Sequence, residues 1–541
     1  MLWRKMEIRS KRSRTSPAGF LLLGFVFLAP VFFMRGKSVT FDEVTHLPSG
    51  YSYLVQHSVR YNQQHPPFIK EICALPLLFI GVKTPGSFPD SEWNFGEEFL
   101  FTQDADKILF WGRLPAVLMS VGLGLLIMRW ATDLWGKSAG LFALFLYAFD
   151  PTITAHSQLV TTDIGVAFFS TLYLYLLRGY LSEPSWRRLC FAGLSLGMAL
   201  GAKFSAIVLL PVSAVLIILS SWNASVSAGL ETARKGKVVT MPLMTDKLLR
   251  SLSALFIMVI LAALFLWIIY FFPTDPQFYW KGIKAVNQDH GKNPYFYLMG
   301  ELKQGGWKYY LVVAWLVKTP IPIILFLAAA FGLYLSYRRV SSLEEAFLWI
   351  PFSSFLIFYS LFGDDIGIRY LIPCFPFMYV FAARLIPSLR EMGKPFRVAF
   401  IAALLWLVTE WVSIMPDHLS YFNQVAGGSE NGIEWLDNSN VDWGQGLKQL
   451  GAYLQTHQIE DYAYCYFGTG KPQYYGITGR RITDMDFFVR PTRGLVILSA
   501  QCIPRGRNIL DKVFGGNSLN WLRHQKPLAI IGHAYYVYEI N

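Results

Sequence analysis

Eleven apolar runs, most of them close to the length needed to cross a membrane, constrain the fold of this 541-residue chain more than any other feature. Only 16% of its residues are charged, against about 25% in an average soluble protein. A single soluble core is excluded, because such cores rarely grow beyond about 250–300 residues. We therefore predict an α-helical polytopic membrane protein with about eleven spans and one shorter interfacial or re-entrant helix at 72–82. The runs lie close to 17–34, 108–128, 138–155, 159–177, 189–202, 204–221, 251–272, 319–335, 346–362, 370–383 and 398–415.

The positions of Lys and Arg predict how the chain is oriented. If the N-terminus is cytoplasmic, the inner segments hold 22 Lys and Arg in 89 residues, and the outer loops hold 13 in 136. This bias follows the positive-inside rule, so the net charge of +12 does not indicate a nucleic-acid partner. The basic stretch 1–16 also fits the start of a signal peptide, but the apolar run after it is long and lacks a small-residue cleavage site. A retained first span in a plasma (inner) membrane is favoured.

The last 126 residues differ in composition from the rest of the chain. Residues 416–541 carry 11 Lys and Arg and 11 Asp and Glu, and they alternate short apolar runs with one helical stretch around Gly444–Thr456. Eleven spans place them outside the cytoplasm. We predict a transmembrane domain over 1–415, with outer loops 36–107 and 273–318, followed by a small extracytoplasmic α/β domain over 416–541.

The five cysteines show neither a CxxC motif nor the spacing of metal ligands. Cys465 and Cys502 both fall on predicted strands of the C-terminal domain. A disulfide between them and two free buried thiols both fit this placement.

Five ionisable residues lie within the apolar runs or at their edges, and the predicted topology puts all five near the outer ends of spans. Ionisable groups in a membrane are costly and tend to mark functional sites. The position of Arg35 at the end of a span is explained by its long side chain, which reaches the membrane–water interface. Asp163 is short and follows two threonines, so we predict that it lines a cavity. The other three are Arg113, Asp150 and Glu410.

The predicted outer loops add further acids and histidines. Asp42 and Glu43 come just after the first span, with His46 one turn later. Two adjacent carboxylates suit a general base or a cation site, and they equally suit the start of an interfacial helix. His65 precedes two prolines, which fix the local backbone and the direction of its side chain.

Isolated cations lie in the remaining outer connections. Lys203 occupies a connection of a single residue between two runs, and Arg369 is followed by Tyr370 at the end of loop 363–369. The loop before Asp163 also contains His156. Acids gathered at one membrane face could activate a hydroxyl, and cations could hold an anionic leaving group such as a lipid phosphate. The middle of every span is free of charge, which argues against an ion pathway.

Together, these motifs resemble the lipid-linked-sugar-dependent glycosyltransferases of the GT-C superfold. The closest branch is glycosyltransferase family 39, the protein O-mannosyltransferase and aminoarabinose-transferase group. The resemblance covers most of the chain. It is carried by Asp42–His46, His65–Pro67, Ala155–Asp163, Gly300–Pro320 and Arg369–Pro373, and the tail segment Tyr421–Gln445 is similar to bacterial members.

The resemblance implies inverting transfer of a sugar from a polyprenyl-phosphate donor to an acceptor hydroxyl of protein, lipid or glycan in the cell envelope. It assigns the catalytic carboxylate to Asp42, with Glu43 as the alternative, and a second acid to Asp163. It places His65 near the donor phosphate, where aminoarabinose transferases carry Lys. Further candidates for binding the phosphate or substrate are Lys203, Arg369, His46, His156 and Tyr370.

The family requires no bound nucleotide and no metal held by a D-x-D motif. Asp104–Asp106 and Asp484–Asp486 match that common tripeptide, so a divalent metal stays open without being required. A transporter or flippase of lipid-linked glycans is the main alternative function. Transporters favour paired repeats and broken helices that meet at mid-membrane, and the sequence shows neither. A noncatalytic scaffold leaves Asp163 and the other charges unexplained.

Overall fold

The computed structural model describes residues 16–86, 88–234, 242–289, 294–336, 340–389, 391–482, 493–514 and 525–540. The basic stretch before residue 16, part of the basic segment 222–250 and the Asp484–Asp486 motif lie outside these residues.

The described part of the membrane domain is almost entirely helical, as its apolar runs predict. Its helices, numbered in chain order, are α1 (Pro17–Phe33), α2 (Glu43–Gln56), α3 (Phe68–Ala74), α4 (Glu92–Phe101), α5 (Ala105–Trp135), α6 (Lys137–Ala148), α7 (Pro151–Ser157), α8 (Thr162–Ser182), α9 (Trp186–Ala202), α10 (Leu209–Arg234), α11 (Pro242–Ile269), α12 (Phe278–Asp289), α13 (Tyr310–Lys318), α14 (Ile321–Ser336), α15 (Ser342–Phe362), α16 (Phe375–Ala382), α17 (Leu385–Leu389) and α18 (Lys394–Ser413).

Within the described residues, eight helices are long and apolar enough to cross a membrane, or ten if two bent pairs each count as one span. The pairs are α6 with α7, bent by 69°, and α13 with α14, bent by 112°. The predicted multi-pass helical architecture is confirmed, with up to ten spans in place of eleven. The remaining run, 189–202, forms α9, whose 17 residues are too short for this criterion.

Helix α9 packs closely against its neighbours because it carries small residues along one side. A Cβ added at Gly193 would lie 3.1 Å from the Cα of Met258, and one at Gly197 would lie 3.0 Å from the Cα of Ala262. Glycines of this kind let helix backbones approach within a membrane. These contacts are to α11; α9 also packs against α8, and its end brings Lys203 to Asp163 at the beginning of α8.

The short run at 72–82 forms the end of α3 and a 3₁₀ turn, Leu75–Phe79. Helix α3 lies tightly against α2, since a Cβ at Gly50 would be only 2.1 Å from the carbonyl oxygen of Lys70. Helix α3 contacts both α5 and α8, and α2 carries the candidate site residues Glu43 and His46.

The C-terminal region contains the predicted small α/β structure. Helix α20 buries Leu447, Leu450 and Leu454 against a five-stranded sheet. The strand order is β4-β3-β5-β7-β6, with β3 parallel to β4 and β5, and β7 antiparallel to β5 and β6. A separate hairpin, β1–β2, lies in segment 273–318, which the sequence predicts to be an outer loop. The elements are β1 (Tyr295–Leu298), β2 (Glu301–Gln304), α19 (Gly432–Trp435), α20 (Leu447–Thr456), β3 (Ala463–Cys465), β4 (Arg480–Arg481), β5 (Gly494–Ser499), α21 (Cys502–Phe514), β6 (Ala529–Ile531) and β7 (Tyr535–Ile540).

A disulfide joins Cys465 at the end of β3 to Cys502 at the start of α21. Of the two arrangements that the sequence leaves open for these cysteines, the structure has the bonded one. Helix α20 begins at Leu447, three residues later than the sequence suggests.

Candidate active site

The tail holds the segment before α2 in place. The backbone N–H of Ser38 donates to the Gln445 carbonyl at 3.0 Å, and that of Phe41 donates to the Trp443 carbonyl at 2.8 Å. This pairing fixes the chain directly before Asp42. Asp42 occupies the N-cap position of α2, but its side chain makes no capping hydrogen bond. Its carboxylate instead contacts Arg369.

Four charged side chains from four distant parts of the sequence form a continuous chain of contacts. Asp42 Oδ2 accepts a hydrogen bond from Arg369 Nη1 at 2.7 Å. The same Nη1 lies 3.9 Å from Asp163 Oδ2, and Lys203 Nζ donates to Asp163 Oδ1 at 2.7 Å. Two acids balance two cations, which lowers the cost of burying them. The Asp42 side chain is 19% exposed and that of Asp163 is 1% exposed, so Asp42 is the more accessible acid.

Aromatic rings support both cations of this cluster. Lys203 Nζ lies 4.6 Å from the centre of the Tyr370 ring, which stacks on Tyr359 with ring centres 4.9 Å apart. Arg369 lies over the indole of Trp443 at 4.3 Å. Cation–π contacts of this kind stabilise a positive charge without neutralising it. The rings therefore help to hold the two cations in place beside their carboxylate partners.

His46 and His65 pack edge to face, with ring centres 5.0 Å apart. The Nδ1 of His46 lies 3.1 Å from the Val160 carbonyl oxygen, which indicates that Nδ1 carries the proton. Burial lowers the pKa of His46 to about 4, and burial together with neighbouring His46 lowers the pKa of His65 well below its usual value. Both rings are therefore neutral near pH 7, and His65 can offer a hydrogen bond but no charge.

Lys70, which the sequence analysis did not identify, holds the backbone next to His65. Its buried Nζ donates to the carbonyl oxygens of Asn62 at 2.7 Å and His65 at 2.9 Å, and to the Tyr53 hydroxyl at 2.9 Å. Burial lowers the pKa of Lys70 to about 7. A lysine two residues before the short apolar run 72–82 was the available sequence signal.

Glu43 faces away from the charged cluster. Its carboxylate accepts two hydrogen bonds from Arg113, at 2.8 and 2.6 Å, and both side chains are almost completely buried. Backbone N–H groups of Val160 and Thr40 donate to the same carboxylate, each at 2.9 Å. With the Thr40 hydroxyl, which donates at 3.0 Å, five donors occupy its two oxygens. Glu43 therefore acts here as a structural anchor between α2 and α5. The sequence had singled out Arg113 by its position in a span, without a partner.

His156 is not part of the chain of contacts between the four charged side chains. Its ring packs edge to face on Trp443, with centres 6.1 Å apart, and its buried Nδ1 has no hydrogen-bond partner in the described structure. Among the sequence candidates, the structure brings five into one cluster with His46 and His65 beside them. The five are Asp42, Asp163, Lys203, Arg369 and Tyr370.

The tail segment before α20 fixes the loop that carries Arg369. The side-chain oxygen of Asn440 accepts from the backbone N–H of Ile368 at 2.9 Å, and the Ser439 hydroxyl donates to the Ile366 carbonyl at 2.6 Å. By its sequence, the polar stretch Asp437–Gln445 could either cap a helix or contact a ligand. The structure instead shows contacts to the Arg369 loop, and the N-cap of α20 is a glycine without a side-chain bond.

The described D-x-D motif is committed to other contacts. Asp104 caps α5 by accepting from the backbone N–H of Lys107 at 2.9 Å, and Asp106 pairs with Lys448 at 2.8 Å. Within the described residues, no group of three or more His, Cys, Asp or Glu is placed to hold a metal ion.

A family model described as dolichyl-phosphate-mannose-protein mannosyltransferase matches residues 100–243. This stretch contains Asp163 and Lys203, whereas Asp42 and Arg369 lie outside it. The match confirms the resemblance that the sequence predicts and, with it, the prediction of a glycosyltransferase. No curated protein matches the sequence.

Among the solved structures that are similar to this chain, three cover between 51% and 96% of it. ArnT from Cupriavidus metallidurans bound to undecaprenyl phosphate is 11% identical, with a TM-score of 0.48 and coverage of 96% of this chain and 98% of its own. AglB from Archaeoglobus fulgidus is 12% identical, with a TM-score of 0.43 and coverage of 89% and 69%. The S. cerevisiae Pmt1–Pmt2 complex is 16% identical, with a TM-score of 0.31 and coverage of 51% and 35%.

Proposed function

We propose that this protein is an inverting glycosyltransferase that moves a sugar from a polyprenyl-phosphate donor to an acceptor hydroxyl at the outer face of its membrane. The proposal rests on the chain of contacts Asp42–Arg369–Asp163–Lys203. In it, the partly exposed carboxylate of Asp42 lies beside two cations that also contact aromatic rings. The family match supports the same reaction class.

Asp42 is the proposed general base. It accepts the proton of the acceptor hydroxyl while that oxygen attacks the anomeric carbon from the face opposite the phosphate. One base suffices for inversion, whereas a retaining enzyme needs a second carboxylate as nucleophile. Asp42 is favoured over Glu43 because its side chain is partly exposed and makes a single side-chain hydrogen bond, whereas Glu43 is buried and fully bonded.

Lys203 and Arg369 are the proposed partners of the donor phosphate. The phosphodiester of the donor carries one negative charge, and the departing phosphate monoester carries up to two. Fixed cations therefore stabilise the transition state more than the bound donor. Asp163 lies between the two cations and positions both of them, and His65 contributes a neutral hydrogen-bond donor.

The remaining sequence candidates have supporting roles in this proposal. Tyr370 forms a wall behind Lys203, and His46 positions the ring of His65. His156 supports Trp443 from behind. Acceptor hydroxyls of protein, lipid and glycan all fit the chemistry. The transporter alternative gains no support, because the site charges gather at one end of the spans.

The proposal includes an orientation and a location. The N-terminus lies in the cytoplasm, and residues 416–541 form a domain outside the plasma (inner) membrane. The bias in Lys and Arg supports this orientation, and so does the Cys465–Cys502 disulfide, because disulfides persist in oxidising compartments. Reporter fusions at positions 230, 290 and 450 should read inside, outside and outside. A cytoplasmic reading at 450 would overturn both the orientation and the outer location of the site.

The direct test is transfer by the purified protein in lipid nanodiscs. Polyprenyl-phosphate mannose and polyprenyl-phosphate aminoarabinose serve as radiolabelled donors, with peptide, lipid and glycan acceptors in separate reactions. The proposal expects transfer that depends on the lipid-linked donor and inverts the anomeric configuration. Retention of configuration, or transfer from a nucleotide sugar alone, would contradict it.

A further inference from the structure

A buried lysine, Lys318, ends helix α13 at the sharp bend between α13 and α14. Only 2% of it is exposed, and the two helices are bent by 112° relative to each other. Its side-chain nitrogen Nζ donates to the carbonyl oxygens of Leu419 at 2.7 Å and Asn440 at 2.6 Å, and it lies 4.5 Å from the centre of the Phe422 ring. All three partners belong to the tail. Lys318 therefore joins this bend of the membrane domain to the tail.

Asn440, one of these partners, also holds the loop that carries Arg369. Its side-chain Oδ1 accepts from the backbone N–H of Ile368, directly before Arg369, at 2.9 Å. Its Nδ2 donates to the hydroxyl of Tyr310, the first residue of α13, at 2.9 Å. Both ends of α13 therefore contact Asn440, Tyr310 through the side chain and Lys318 through the carbonyl oxygen. Two hydrogen bonds in series connect Lys318 to the residue next to Arg369.

The loop before Arg369 is also packed closely against the tail. A Cβ added at Gly367 would lie only 2.3 Å from the hydroxyl oxygen of Ser439, the residue before Asn440. A displacement of residues 439 and 440 is therefore passed on to the loop. The position of Arg369 is critical, because its Nη1 donates to Asp42 at 2.7 Å at the centre of the charged cluster.

We propose that Lys318 is a positioning residue of the transfer reaction, which holds Arg369 in place for the donor phosphate by way of Asn440. The inference rests on the proposed function for the role of Arg369. Loss of the Lys318 amine leaves two buried carbonyl oxygens without this donor, which is unfavourable, so the tail around residue 440 shifts and the Arg369 loop shifts with it. Because a fixed cation stabilises the departing phosphate more than the bound donor, this shift lowers kcat more than it raises the donor KM.

Hydrogen–deuterium exchange of the full chain in nanodiscs tests the positioning without any need for activity. In Lys318→Met, the peptide that covers 363–369 should exchange about threefold faster or more, because the amide of Ile368 loses a fixed acceptor. Asn423→Ala provides the comparison. Asn423 is also fully buried and joins the tail to the same bend, since its Nδ2 donates to the carbonyl oxygens of Leu316 at 2.6 Å and Thr319 at 2.8 Å. This variant should leave the exchange of 363–369 as in the wild type.

Steady-state transfer from a polyprenyl-phosphate sugar, normalised to folded protein, tests the consequence for the reaction. Lys318→Met should lower kcat about tenfold and change the donor KM by no more than about twofold. Asn423→Ala should keep kcat within about twofold of the wild type, although both variants lower the melting temperature. Lys318→Gln keeps two N–H donors on a shorter side chain and is the milder variant if Lys318→Met does not fold. It should change both the exchange and kcat in the same directions by about twofold or more.

The two measurements separate failure of this inference from failure of the proposed function. Unchanged exchange of 363–369 in a folded Lys318 variant would overturn the positioning role, even if the wild type transfers sugar normally. Equally fast exchange in Asn423→Ala would indicate general loosening of the bend and would overturn it too, as would an unchanged kcat in Lys318→Met. If the wild type transfers no lipid-linked sugar while Lys318→Met shows the faster exchange, the proposed function fails and the hold of Lys318 on the Arg369 loop is supported.

Discussion

The guanidinium carbon of Arg369 lies 4.3 Å from the centre of the Trp443 ring. Arg369 belongs to the membrane domain and Trp443 to the tail, so the charged cluster is completed by residues from both regions. The backbone carbonyl of Trp443 also accepts from Phe41, directly before Asp42. One tail residue therefore contacts the chain at both ends of the Asp42–Arg369 ion pair.

Replacing Trp443 should reduce turnover through Arg369. A cation–π contact is worth about 0.5–2 kcal/mol, so Trp443→Leu should lower kcat about 2- to 30-fold, and Trp443→Phe should retain most of the activity. Steady-state transfer, normalised to folded protein, measures this. Trp130→Leu, at an equally buried tryptophan outside the cluster, is the control for packing loss and should leave kcat unchanged. Equal losses in Trp443→Leu and Trp443→Phe would show that Arg369 does not need a ring there.

Replacing Lys203 should separate transition-state stabilisation from donor binding. Lys203→Met removes the charge that Asp163 positions, and it should lower kcat more than it raises the KM for the donor. Lys203→Arg keeps a charge with different geometry and should retain part of the activity. Lys107→Met removes an exposed lysine that lies outside the cluster and is the control. Unchanged kinetics in Lys203→Met would shift the phosphate role to Arg369 and His65.

Much of the architecture could be predicted because hydropathy reports burial in lipid directly. Each of the eleven apolar runs is helical. If each bent pair counts as one span, the described run that fails as a full span is the short one at 189–202. The cluster could also be predicted in part. Charges cannot remain unpaired at membrane depth, so Asp163, Lys203 and Arg369 had to find one another or a ligand.

The sequence could not reveal which acid faces the site. Asp42 and Glu43 are adjacent, and the choice depends on Arg113, which reaches Glu43 from 70 residues away. The role of Trp443 was equally hidden, because it depends on contacts between the tail and a loop that starts at residue 363. Such tertiary contacts leave no mark in local periodicity.

The Glu43–Arg113 pair should matter for folding more than for chemistry. Breaking a buried ion pair by removing one partner costs about 3–5 kcal/mol. Glu43→Gln should therefore lower the melting temperature and the yield of monodisperse protein in detergent. The double variant Glu43→Leu/Arg113→Met removes both charges and should recover part of this loss. A Glu43→Gln protein as stable as the wild type would contradict the anchoring role.

Acid should destabilise the protein partly through His418. This ring packs between Phe33 and Trp411, both of its nitrogens lack partners in the described structure, and burial lowers its pKa from 6.5 to about 4. Between pH 6.5 and 4, His418 binds a proton in the unfolded chain but not in the folded protein. The free energy of unfolding therefore decreases as the pH is lowered, by up to about 1.4 kcal/mol per pH unit.

His418→Phe should flatten this dependence, as measured by melting temperature from pH 4.5 to 7.5. The matched control is His457→Phe, at an exposed ring on the C-terminal side of α20. It should leave the acid sensitivity as it is in the wild type. Identical pH profiles for His418→Phe and the wild type would remove His418 from the account.

Asp42 is proposed to take the proton of the acceptor hydroxyl, so the transfer rate of Asp42→Asn decides whether this carboxylate is the general base. The amide keeps the size of the side chain and loses the base, so transfer from a polyprenyl-phosphate sugar should fall about 10²–10⁴-fold while donor binding and melting temperature stay close to those of the wild type. Loss of transfer in a well-folded Glu43→Gln with normal turnover in Asp42→Asn would exchange the two roles. Normal transfer by both variants would contradict the account, since neither carboxylate would then be the base.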